Sequence, residues 1–95
     1  MLAETLLAER QHYESKVNYF KVELQKNEEE IEKSEIRLGI LNDVNARLEE
    51  STAKLIIEHD IQSLKDEITK LQTTLTQNIG NLKAFERIVD ELYNI

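Results

Sequence analysis

The sequence predicts an all-α protein built as a long coiled-coil helix, and three observations predict it. An apolar stripe from Ile61 to Leu92 keeps a 3-4 spacing without a slip, interrupted only by Asn78. Among 95 residues there is no Pro, and Gly occurs only at positions 39 and 80. Charged residues make up 33% of the chain. Sustained heptads in a charge-rich, breaker-poor chain are the composition of long helices. A repeat averaging about 3.5 residues holds one narrow stripe on one helix side, which only a second helix can bury.

The first residues are the least regular. Leu2, Leu6 and Leu7 are followed by the polar run Glu9 to His12. Placing Ala3 and Leu6 at core positions puts Arg10 at the next one. The first turn or two are therefore expected to fray or to depend on a partner.

Residues 12–56 carry a weaker seam that keeps register from Tyr13 through Val17, Phe20, Leu24, Ile31, Leu38, Leu41 and Leu48 to Leu55. Tyr13, Asn27, Ser34, Asn45 and Thr52 occupy core positions of the same seam and weaken it. Ile36, Ile40 and Val44 lie outside it at i, i+4, i+8, as a soft patch or as a second face for another helix. Gly39 with Asn42, Asp43 and Asn45 lowers the local helix propensity.

Between Leu55 and Ile61 the stripe resumes two residues late, a register break near residues 56–60. At about 100° per residue, the two stripes of a continuous helix then face nearly opposite sides. The leading architecture is one continuous helix, roughly 140 Å long at about 1.5 Å per residue, in a parallel dimer or higher oligomer. The alternative is an antiparallel helical hairpin turning near residue 58, with Leu55 set against Ile61 and Leu48 against Ile68. Against the hairpin, Ile56 to Asp60 offers no Gly or Pro for a turn. It also opposes Asn27, Asn45 and Asn78 to aliphatic side chains, whereas a parallel dimer lets each Asn meet its own copy.

Residues 57–95 form the main zipper. Ile61 and Ile68 at a with Leu64 and Leu71 at d is the combination that favours two parallel strands. Its flanks suit self-pairing, with Asp60 facing Lys65 and Glu67 facing Gln72. The first seam sets Lys16 against Lys21, Glu23 against Glu28 and Glu30 against Glu35, which suits a complementary or antiparallel neighbour better. The oligomer interface is expected at Leu38, Leu41, Asn45, Leu48 and Leu55, then at Ile61, Leu64, Ile68, Leu71, Leu75, Asn78, Leu82, Phe85, Val89 and Leu92. Beyond Asn78 the apolar face widens, and Ile79, Ile88 and Tyr93 form a candidate partner patch.

The sequence points to a single coiled-coil segment, 1–95, and its abrupt ends suggest a piece of a longer protein. The net charge of −7 speaks against non-specific nucleic-acid binding, which draws on Lys and Arg neutralising phosphates, and against an anionic membrane surface. No apolar run approaches the ~20 residues of a spanning helix, and the start lacks a signal-peptide pattern. Lack of Cys fits a reducing compartment. An intracellular protein, cytoplasmic or nuclear, is the expectation.

No enzyme chemistry is legible. His12 and His59 stand 47 positions apart, and the acidic run Glu28 to Glu30 lacks the loop geometry of calcium sites. No glycine-rich phosphate loop occurs. Catalytic residues, cofactors, metals and small-molecule substrates are not expected. The expected function is a structural oligomerisation coiled coil that scaffolds or spaces a larger assembly of cytoskeletal, chromosome-segregation or tethering type. Its partners are further copies, a dimer before a tetramer, or a different coiled-coil chain. The alternative is a binding module that recruits a globular partner or small GTPase through residues 79–95.

Overall fold

A computed structural model describes residues 2–95. It is all-α, as expected: helix α1 spans Leu2–Arg47 and helix α2 spans Thr52–Tyr93. By packing, the chain divides into two units, residues 1–26 with 75–95 and residues 27–74. Each unit pairs a piece of α1 with a piece of α2.

The helix is therefore not continuous, and the antiparallel hairpin is the architecture the chain adopts. The reversal lies at residues 48–51, not near 58, and residues 56–60 are ordinary α2 helix. Local chemistry selects that place. The Leu48 amide donates to Asn45 O at 3.3 Å, tightening the end of α1. Lys54 Nζ donates to the carbonyls of Asn45 at 2.9 Å and Leu48 at 3.5 Å, satisfying groups that a helix end leaves orphaned. Ser51 starts α2 as its N-cap, its Oγ accepting from the Lys54 amide at 3.4 Å. Glu49 and Glu50 sit just before that helix start, where its dipole favours negative charge. No described residue has a positive φ, so this connection has no need of glycine.

The unit of residues 27–74 holds the buried apolar side chains: Ile61, Leu64 and Ile68, between 3% and 7% exposed. Asn27 is buried in the same unit. The α1 side supplies Ile31, Ser34, Leu38, Leu41 and Asn45, each half-covered. Reflection about position 51 matches these five to Leu71, Ile68, Leu64, Ile61 and Ile57, all covered as well.

The unit of residues 1–26 with 75–95 is packed on rings. Phe85 lies between Tyr13 and Phe20, with centroid separations of 6.0 Å and 5.6 Å, and stacks on the latter. Phe85 is thus level with Val17, and the same reflection about position 51 holds in this unit. α1 is helical from Leu2 onward, and Arg10, the odd residue in the stripe, ties its first turns down. Its Nε and Nη2 donate to Leu92 O at 3.1 and 2.9 Å.

Candidate interaction surfaces

Each proposed interface residue except Leu55 lies on the covered side of its helix. Leu38, Leu41, Asn45 and Leu48 are half-covered, as are Leu71, Leu75, Asn78, Leu82, Phe85, Val89 and Leu92, while Ile61, Leu64 and Ile68 are buried. Apart from Leu55, both stripes run along covered helix faces. Within each unit the covering element is the other helix of the same chain.

Leu55 is a correction. It is 62% exposed, and Ile56 is 56% exposed. Once α1 ends at Arg47, Leu55 takes its phase from α2, where Lys54 and Ile57 hold the covered positions. The two-residue skip read from the sequence marks this change of helix. Lys21 lines an open groove of about 300 Å³ with Glu14, Glu86 and Asp90, so its neighbours are acidic.

The candidate patch divides in two. Ile79 and Ile88 sit at the edge of the covered face, each 37% exposed. Tyr93 is engaged within the chain: its ring lies 4.5 Å beneath the Arg10 guanidinium, and its hydroxyl donates to Glu14 Oε1. That hydrogen bond is the main reason its pKa is raised above 10.0; desolvation and repulsion from Glu14 add to it, and Arg10 opposes them. The Arg10–Tyr93–Glu14 cluster had one trace in the sequence, an arginine at a heptad core position. Its partners come from the far end of the chain, which periodicity does not identify.

Beyond the pairing face, each unit leaves apolar side chains in solvent. In residues 27–74, Ile36 and Ile40 are 58% and 59% exposed, and Val44 extends their row. In the other unit Ile95 stands between two open apolar grooves. One, of about 400 Å³, is lined by Leu2, Ala3 and Leu6; the other, of about 460 Å³, is lined by Ala84, Ile88 and Leu92.

Among the described residues no group of three or more His, Asp or Glu side chains is placed to hold a metal ion, and no helix is long and apolar enough to cross a membrane. His12 packs edge-on to Tyr13 at 4.9 Å, and His59 lies 3.8 Å from Asp60 with its side chain in solvent. The chain matches no protein-family model, no curated protein and no solved structure.

Proposed function

We propose that the protein is a structural oligomerisation module: a helical hairpin that completes its apolar packing with further copies and so scaffolds or spaces a larger intracellular assembly. It works by association, not catalysis. The carrying observation is how little two helices bury. Among the described residues three apolar side chains are buried, while thirteen large ones are exposed. The chain exposes 7159 Å², against about 5,700 Å² for a compact monomer of its 11.1 kDa by the usual mass scaling. The excess, about 1,500 Å², is of the order one subunit of a permanent assembly buries.

Sedimentation equilibrium from nanomolar to near-millimolar chain, combined with thermal unfolding followed by circular dichroism, tests this. Association is expected, with an unfolding midpoint that rises with concentration, because binding of the folded form stabilises it by mass action. A monomer throughout, unfolding at a fixed midpoint, overturns the proposal. A second reading, recruitment of a separate protein through residues 79–95, draws support from Ile88 and the groove beside Ile95. Substituting Ile88 by Ser distinguishes it, since the self-assembled state would then be unaffected.

A further inference from the structure

The outer face of α1 carries a pattern that its pairing with α2 does not use. Glu29, Lys33, Ile36, Ile40, Asp43 and Arg47 recur at 4-3-4-3-4 spacing, a second heptad stripe. At about 100° per residue it lies nearly opposite the covered row from Ile31 to Asn45. All six residues are exposed, and all belong to the unit of residues 27–74. Read along the helix the stripe runs acid, base, Ile, Ile, acid, base. Reversed, each acid meets a base.

We infer that this stripe is a self-recognition surface, on which α1 of a second copy packs antiparallel about a two-fold axis level with Leu38. The inference rests on the oligomerising role proposed above and adds the partner, the surface and the orientation. Antiparallel packing sets an a position against a d position. Ile36 then meets Ile40 of the second copy, Lys33 meets its Asp43, and Glu29 meets its Arg47. The two-fold repeats each pairing, so one interface holds four opposite-charge contacts around an isoleucine centre. A parallel arrangement would set Glu29, Lys33, Asp43 and Arg47 each against its own copy, four like-charge contacts. The stripe is charge-neutral, so the net charge of −7 does not oppose the approach locally. The Asp43–Arg47 ion pair, at 3.1 Å with both side chains largely in solvent, is free to join the network.

Gly39 supports the same geometry. It stands in mid-helix, where glycine is unfavourable, and a Cβ added there would meet nothing within 4 Å. Nothing inside the chain therefore needs the missing side chain. On the flank of the stripe, beside the proposed axis, its absence lets the second backbone come close. Arg37, on the other flank, faces its own copy, the one like-charged contact of the set; its long stem lets the guanidinium turn to solvent.

The test uses the full chain. Lys33→Glu should raise the dimer dissociation constant by roughly tenfold to thirtyfold at low salt, from two exposed pairs reversed in sign. High salt should shrink that difference. The double substitution Lys33→Glu with Asp43→Lys should restore the affinity, since both lines of the pairing are then exchanged. Helicity measured alongside shows that each variant is folded. Because the chain has no Cys, orientation is read directly by oxidative cross-linking. Chains carrying Ile36→Cys and Ile40→Cys should cross-link faster when mixed than either does alone; faster linking of each alone overturns the antiparallel arrangement. An oligomer unaffected by Lys33→Glu refutes this surface and leaves the oligomerising role standing. A monomeric unsubstituted chain refutes both.

Discussion

The two packing units use the same heptad rule to different ends. In residues 27–74 aliphatic side chains interlock closely enough to bury Ile61, Leu64 and Ile68. In residues 1–26 with 75–95 the same positions carry Tyr13, Phe20, Phe85 and an arginine, and no described side chain of that unit is buried. Its helices are held instead by directional contacts, ring against ring and guanidinium against carbonyl. The first unit also contains the turn, so its helices start close together and the entropy of closing the loop is small. The second closes a loop of most of the chain and sits at the termini, where fraying concentrates. The difference teaches that identical periodicity leaves packing density open; side-chain shape and distance from the turn set it.

That contrast can be broken at either end. Leu64→Ala removes the best-buried side chain, 3% exposed, and should cost about 2–5 kcal/mol, enough to unfold most of a small helix pair. Urea unfolding followed by circular dichroism measures it; a loss under about 1 kcal/mol would show that Leu64 is not packed as described. Phe85→Ala removes the two ring contacts between the helices of the other unit and should cost less, about 2 kcal/mol, because its site is half open. Its effect should stay local. Hydrogen exchange should quicken in residues 2–26 and 75–93 while protection around Ile61 to Ile68 persists. Equal acceleration everywhere would mean that the two units open together.

A smaller effect sharpens the account of the hairpin's cost. Asn45 Oδ1 is buried without a hydrogen-bond partner, the penalty expected of setting an asparagine against aliphatic neighbours. Asn45→Leu should stabilise the chain by about 1 kcal/mol, seen as a raised thermal midpoint. The Lys54 contact is to the Asn45 backbone carbonyl and should survive the change. Loss of stability in this variant would point to an unrecognised role for the amide.

Tyr93 carries the smallest effect: its pKa is raised above 10.0 chiefly by its hydrogen bond to Glu14. A pKa raised in the folded chain means that the contact contributes in full below pH 10 and is lost as pH climbs through the raised value. Ultraviolet titration of the three tyrosines should show one ionising late, and Glu14→Gln should bring it back toward the others. A titration unchanged by Glu14→Gln would show that Tyr93 and Glu14 are not hydrogen-bonded in solution.

How much of this was legible beforehand depends on the residue. The covered rows from Tyr13 to Leu48 and from Ile57 to Leu92 follow from spacing alone, because a helix turns about 100° per residue whatever covers it. Leu55 was misplaced because its phase depends on where α1 stops. The cluster of Arg10, Glu14 and Tyr93 stayed hidden because it joins residues far apart in the chain. The outer stripe from Glu29 to Arg47 was visible only in its apolar members, Ile36 and Ile40; its charges gained meaning once the opposite face was occupied.

By itself the sequence determined helix, phase and the two inward faces. Only the tertiary structure decided what covers those faces and in which register. A turn near 58 and a turn centred near 51 differ by one heptad in the mirror point, hence by two heptads in sliding, and both stack a over d in every layer. Heptad periodicity is blind to that choice. The ends of the helices made it: Ser51 caps α2 and Lys54 satisfies the last carbonyls of α1, so the chain reverses where its backbone can be satisfied.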